Sequence, residues 1–422
     1  MISADPPGDE MTNILSRLHV EALMQFRSVC KSWCNLIRDP HFVNMHMNQH
    51  SSYKESGYLI GKDIILDFAE IEECKDTTLD VAEIKECCTL YSDETFAEHK
   101  KMEFPLWEST KSFQIIGCCN GIFFLVYPLT PRSCCKMYFC NPATKIIKNL
   151  NNSPVQLPDV RVHVAFGFGW VPRLDEYKVV RILYFEQMNL KEPPNHPPVV
   201  EIYSLKTDSW TKIEIELSYF ITSHTAKAFL DGCAYWVARK VINETEYDDF
   251  VVSFNMVDHV FEEIKLPKSC LGDGALMGLL AVFRDSLYLF VHGRESLDCW
   301  HVWMMQEECS GKIWCHQFKI DCSLKICWPL CLMKNGEVIF ESIEGHLSLY
   351  DPRNQQFQDL HFQGNPYIIE LFSYKESLVL LDLGTKYWPS EFHDDGNEEL
   401  ESQTQSQEIF AGLEKWQIQE SA

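Results

Sequence analysis

No stretch of this 422-residue chain reaches 18 consecutive apolar residues, so no transmembrane helix is expected. The opening residues, MISADPPGDEMTN, have neither the basic nor the apolar region of a secretory leader, and a cytoplasmic or nuclear location is the expectation. Positive charge is also short. Against 61 acidic residues stand only 37 lysines and arginines, a formal net charge of −24. Such a field repels nucleic acid and anionic membranes and favours basic partners. The 18 cysteines, spread over this length, fall below the density of secreted disulfide scaffolds. They sit in apolar runs such as IIGCCNGIFFLV and CSLKICWPLCLM, where reduced thiols act as small hydrophobes. The sequons at Asn151 and Asn243 carry little weight without secretion.

Catalytic signatures are missing as well. There is no GxxxxGKS/T phosphate loop, no HExxH zinc helix and no GxSxG elbow. The run GDGALMG (Gly272–Gly278) has one residue too many for GxGxxG and reads as a strand turn. Adjacent cysteines at 87–88, 118–119 and 134–135 would point to opposite faces of a strand. Cys30 and Cys34, one helical turn apart, have no histidine pair beside them to complete a tetrahedral zinc site. No catalytic residue, metal ligand or cofactor is assigned.

What the chain does have begins with a helical segment. Over residues 9–50 apolar side chains recur at helical spacing: Met11, Ile14, Leu15 and Leu18, then Leu23, Phe26, Val29 and Cys30. Asp9 could cap the first helix. A third short helix is expected over Lys31–Arg38 and should stop at Arg38-Asp39-Pro40, because the residue before a proline disfavours the α region. Residues 26–42 are rich in aromatic and basic side chains within an otherwise acidic protein. Forty residues in short helices cannot build a stable core alone, so part of this surface should need a partner.

Three blocks carry a specific resemblance: ILSRL (Ile14–Leu18), FRSVCKSW (Phe26–Trp33) and IRDPHF (Ile37–Phe42). In order and spacing they resemble the F-box, the motif that docks substrate receptors on the Skp adaptor of cullin-type ubiquitin ligases. The resemblance implies an adaptor surface drawn from Pro7, Ile14, Leu15, Leu18, Leu23, Phe26, Val29, Cys30, Lys31 and Trp33. The first block departs from the usual pattern: Pro6 replaces a leucine, Glu10 an apolar residue and His19 a proline. Each departure weakens the case for docking at the first helix.

From about residue 113 an apolar strand, a turn pair and a second apolar strand recur roughly every 40 to 56 residues. The turns fall near Asn120-Gly121, Leu174-Asp175, Asp231-Gly232, Asp285-Ser286, Asn335-Gly336 and Lys375-Glu376. Asn-Gly and Asp-Gly between apolar runs suit the positive-φ positions of tight hairpins. A second series interleaves: MYFCNPATKIIKNL, VEIYSLKTDSWTKI, VVSFNMVDHVFEEIKLP and LSLYDPRNQQFQDLHF. Two hairpins per repeat give about four strands, the arithmetic of a kelch-like or propeller-like domain; an irregular antiparallel sandwich is the alternative. The expected organisation is a small all-α unit (1–50), an acidic transition with an irregular strand set (51–110), a large all-β domain of repeated antiparallel hairpins (111–388) and an acidic, disordered tail (389–422).

The signatures GCCNGIFFL, CNPATK, AFGFGWVPRLDEYKVVRI, VEIYSLKTDSW and FLDGCAYWVA resemble the F-box-associated interaction domain of plants, in its usual place after an F-box. In overall texture the chain resembles the S-locus F-box proteins and their paralogues. The resemblance implies a non-catalytic receptor of a Skp–cullin–F-box ubiquitin ligase. The F-box would dock on the adaptor and through it on a cullin, while the β domain holds a protein target. The finer likeness implies a basic pistil ribonuclease as that target, in self-incompatibility. Two alternatives stand: a β-propeller enzyme with an incidental helical leader, and an adaptor-independent scaffold with a degenerate F-box. The loops Glu186–Pro198 and Glu244–Asp249 are candidate recognition surface.

Overall fold

A computed structural model gives the fold. It describes residues 8–387 except 53–57, 67–83, 93–95, 103, 105–112, 128–135, 152, 156–161, 186–196, 223–227, 244–246, 268–277, 293–298, 309–310, 323–326, 334, 364–369 and 380–385. Pro6, Pro7, most of the Glu186–Pro198 loop, the first part of the Glu244–Asp249 loop and the 389–422 tail lie outside the described residues.

Four helices come first: α1 (Asp9–Leu15), α2 (Val20–Phe26), α3 (Lys31–Arg38) and α4 (Pro40–Ser52). Gly8 rather than Asp9 occupies the N-cap of α1; Asp9 is already the first helical residue. The break at Asp39 falls where the proline demands it. Asp39 is extended (φ −62°, ψ 126°), and its Oδ1 accepts from the backbone N–H of His41 (2.8 Å) and Phe42 (3.3 Å). One aspartate thus ends α3 and caps α4, with Pro40 at the first helical position.

The rest is β-structure: β1 (Tyr58–Leu66), β2 (Ile84–Ser92), β3 (Glu98–Met102), β4 (Gln114–Cys119), β5 (Ile122–Tyr127), β6 (Lys136–Asn141), β7 (Ile146–Asn149), β8 (Val162–Val171), β9 (Glu176–Phe185), β10 (Val199–Ser204), β11 (Ser209–Ile213), β12 (Phe220–Ile221), β13 (Ala228–Leu230) and β14 (Cys233–Val241). It continues with β15 (Tyr247–Asn255), β16 (Val260–Lys265), β17 (Gly278–Phe283), β18 (Ser286–His292), β19 (Cys299–Glu308), β20 (Gly311–Asp321), β21 (Cys327–Leu332), β22 (Val338–Ser342), β23 (His346–Asp351), β24 (Gln356–Gln363), β25 (Glu370–Tyr374) and β26 (Lys386–Tyr387). Among the described residues these form six antiparallel sheets of four or five strands. The strands β4, β8, β13, β17, β21 and β25 neighbour one another in a closed circuit, so the sheets are blades of a ring and not the two layers of a sandwich.

The blade cores explain the long apolar runs. In β5, Ile122, Phe124 and Val126 pack toward the β8–β11 blade, while Phe123 and Leu125 pack toward the β25-β1-β2-β3 blade. In β14, Ala234, Trp236 and Ala238 face one neighbour and Tyr235 and Val237 the other. A strand buried on both faces must be apolar at every position, which a period of two alone would not produce. Cys118 and Cys119 likewise part company, each joining a different core, as adjacent strand residues should.

Both turn series are recognisable. Asn120-Gly121 and Asp231-Gly232 are two-residue hairpin loops with both central residues at positive φ (50° and 77°; 49° and 77°). The fourth turn sits one residue earlier than expected: Phe283 pairs with Ser286, and Arg284 and Asp285 take the positive φ values. The second series builds four-residue turns that end in a left-handed residue: Lys145, Asp208, His259 and Gln355. In each, the residue opening the turn accepts a backbone N–H with its side chain. Asn141 Oδ1 takes Ala143, Ser204 Oγ takes Thr207, Asn255 Oδ1 takes Val257 and Asp351 Oδ1 takes Arg353. The motifs NPAT, SLKT, NMVD and DPRN therefore share one mechanism.

The last expected hairpin, at Lys375-Glu376, is not one. β25 pairs with β1, so the blade β25-β1-β2-β3 joins the two ends of the ring and draws three strands from residues 51–110. Residues 375–379 then leave the sheet and lie on the next blade. Asn141 Nδ2 donates to the carbonyls of Ser377 (2.9 Å) and Val379 (2.8 Å), and Ser377 Oγ donates to the Asn120 carbonyl (2.6 Å). A Cβ on Gly121 would stand 2.5 Å from the Lys375 carbonyl, which adds a second reason for glycine at that turn. Beyond this clasp β26 adds to the outer edge of β7.

Candidate docking surface

Within the helical unit Leu15, Val20, Leu23, Ile37 and Phe42 are buried, and they belong to the same core as Ile122, Phe124, Phe139 and Tyr203 of the ring. His46, itself buried, uses Nε2 to donate to the Leu18 carbonyl (2.9 Å), tying α4 to the turn after α1. Lys375 Nζ donates to the Met47 carbonyl (2.9 Å), linking α4 to the segment after β25. The helices are thus seated on the ring by packing and by a polar contact.

This packing divides the ten residues expected at an adaptor surface. Leu15 (1% exposed) and Leu23 (0%) have no surface to offer; they hold the helices together, a correction to the sequence expectation. Helical periodicity marks an apolar face without saying what covers it. Leu18, Phe26, Cys30 and Trp33 are half-buried, with Phe26 and Trp33 edge to face at 5.4 Å. Ile14 (58%), Val29 (61%) and Lys31 are exposed. Pro7 lies outside the described residues. Met11, three residues before Ile14 on α1, is also exposed and was not among the expected residues; its i, i+3 spacing to Ile14 was the available signal. Glu10 and His19 are exposed, so in the free chain neither departure from the usual pattern buries an unpaired polar group.

Cys30 stands at the N-cap of α3. The backbone N–H of Trp33 chiefly, then the Ser32 hydroxyl (Sγ–Oγ 3.7 Å), stabilise its thiolate and hold the thiol below its ordinary range. Burial instead pushes the Cys140 thiol well up. Iodoacetamide at neutral pH followed by peptide mass spectrometry should therefore label Cys30 long before Cys140. Ser32→Ala should slow Cys30 labelling, and equal rates at the two cysteines would refute the assignment.

On the ring, charge is buried in pairs. Arg181 and Glu201 face each other across β9 and β10, and Arg239 and Asp249 across β14 and β15, the latter pair bidentate at 2.7 and 3.0 Å. Both guanidinium groups also lie over rings, Arg181 over Trp210 and Arg239 over Tyr247, each at 5.0 Å. These buried pairs join neighbouring strands within their blades and serve the architecture.

With this geometry in hand, comparison with known proteins is specific. Residues 7–44 match the family described as F-box domain, and residues 77–390 match the F-box associated beta propeller domain. F-box protein At3g07870 of Arabidopsis thaliana is 24% identical over 424 residues, covering 90% of this chain and 93% of its own length. The F-box/kelch-repeat protein At3g23880 of the same plant is 24% identical over 362 residues (83% and 89%), and the F-box protein CPR1 is 24% identical over 400 (89% and 88%).

Proposed function

We propose that this chain, which belongs to the family of F-box proteins with an F-box-associated β-propeller domain, is the substrate-recognition subunit of a Skp–cullin–F-box ubiquitin ligase. The observation that carries the reading is the order of the two matched domains, an F-box over 7–44 ahead of a propeller over 77–390. Met11, Ile14 and Val29, exposed on the helical unit, supply apolar surface for an adaptor, and exposed Lys31 adds a charge contact. The chain contributes no chemistry to ubiquitin transfer; it raises the effective concentration of a target beside an enzyme held elsewhere in the assembly. Free thiols such as Cys30, Cys118 and Cys233 suit a reducing compartment, the cytoplasm or nucleus. No helix among the described residues is long and apolar enough to cross a membrane.

The test is capture of a purified Skp-type adaptor by the full chain. Ile14→Asp with Val29→Asp should weaken capture at least about tenfold by placing uncompensated charge in an apolar interface while leaving the melting temperature in place. Leu15→Asp should instead unfold the helical unit. No capture by the parent chain would defeat the reading.

The target is best sought among basic proteins, since a field of −24 attracts them and speeds encounter at low salt. A secreted-type ribonuclease is the specific candidate within that class. Association should slow steeply as salt rises through the range where the screening length falls below about 10 Å.

A further inference from the structure

Two histidines on neighbouring outer strands of one blade face each other. His301 lies on β19 and His316 on β20, with His301 Nδ1 3.1 Å from His316 Nε2. A bulge sets up the approach. Trp303 pairs with His316 while Val302 pairs with Phe318, leaving Gln317 as an extra residue that turns the strand. The edge of the Trp303–His316 ring pair (4.9 Å, 78°) orients one imidazole. Cys299 Sγ, 3.9 Å from Nε2 of His301, orients the other. When Nε2–H of His301 points at the sulfur, Nδ1 presents its lone pair to His316, the arrangement in which a partner on the second nitrogen fixes the tautomer of a metal-binding histidine.

We propose that His301 and His316 chelate a divalent transition ion of the zinc class. Imidazole suits this class, and two nitrogens at the usual 2.0–2.1 Å from a tetrahedral ion stand about 3.3 Å apart, within a few tenths of the observed spacing. No group of three or more His, Cys, Asp or Glu side chains able to hold a metal occurs among the described residues, so water completes the shell. His316 is exposed and His301 partly so, which gives the ion a way in. The bite differs from the expectation of no metal ligand because it depends on a cross-strand bulge, not on sequence spacing.

The test uses the full chain with accessible thiols first alkylated, so that cysteines do not compete. Diethyl pyrocarbonate modification of His301 and His316, read by peptide mass spectrometry, should slow roughly tenfold with Zn²⁺, because a metallated nitrogen has no lone pair to react. Mg²⁺ should have no effect. In His301→Ala the Zn²⁺ effect at His316 should vanish, and in His316→Ala that at His301 should vanish, with each variant's thermal melt confirming the fold. Equal rates with and without Zn²⁺ in the parent would show that the pair makes only a direct N–H···N hydrogen bond. Protection of His316 that persists in His301→Ala would place the ion elsewhere. Either result overturns the proposal.

Discussion

Replacing Glu201 with alanine lowers the stability of the propeller by about 3–5 kcal/mol. Glu201 has no exposed surface, and its Oε2 accepts from Nε of Arg181 at 3.1 Å and again from the Arg181 terminal nitrogen. Ser153 donates its hydroxyl to the other oxygen, and the guanidinium lies over Trp210. Truncation leaves a buried guanidinium with a ring on one face and no anion, and the desolvation that the pair had offset is then uncompensated. The effect extends across a blade boundary. Trp210 also donates Nε1 to the Asn151 carbonyl (2.7 Å), and Lys148 of β7 pairs with Asp208 at 2.9 Å, so residues of two blades share this network. Urea unfolding followed by tryptophan fluorescence should show the midpoint falling with little change in slope. The double replacement Arg181→Met with Glu201→Leu removes both charges and should recover most of the loss. A single variant as stable as the parent, or a double variant as weak as the single, would contradict the account.

Local chemistry was the legible part of the fold. Asn120-Gly121 and Asp231-Gly232 announce their turns because few other pairs tolerate two positive φ angles. Asn141, Ser204, Asn255 and Asp351 announce theirs because a short polar side chain can bond the backbone two or three residues on. Arg284-Asp285 escaped by one residue, since neither side chain is specific to left-handed backbone and the Asp-Ser pair looked as suitable. What could not be read was pairing at a distance. The bond between β1 and β25 joins residues such as Tyr58 and Tyr374, and nothing near either one encodes the other. The segment that follows β25 resembles a hairpin in sequence because Lys375-Glu376 lies between apolar runs; its partner in the fold is the Asn120-Gly121 turn. The docking residues show the same division. Spacing placed Ile14, Leu15, Leu23 and Val29 on apolar faces of short helices, but only the packed structure separates Leu15 and Leu23, which close the core, from Ile14 and Val29, which face outward.

Gly169→Ala should destabilise the ring by about 3 kcal/mol or more, at or beyond the upper end of ordinary overpacking. Gly169 lies in β8 within the run FGFGW, and a Cβ there would stand 2.3 Å from two carbons of the Phe229 ring on β13 of the next blade. That distance is far inside van der Waals contact, so the Phe229 ring, packed at the boundary between the two blades, would have to shift. Gly167, two residues earlier, is closed in the same way by Ala234 at 2.7 Å and Trp236 at 2.9 Å, so the strand has no slack to shift along its length. Backbone freedom is not the issue, because neither glycine takes a positive φ; the need is for close approach of one blade to another. Gly117→Ala is the matched control, since its nearest contact would be Phe168 at an ordinary 3.6 Å, and it should stay within about 1 kcal/mol of the parent. Phe229→Ala alone loses packing, but combined with Gly169→Ala it should cost less than the sum of the two, because the clash is gone. Additive losses in that cycle would mean that the glycines serve something other than room for Phe229, and the close seating of these two blades would need another cause.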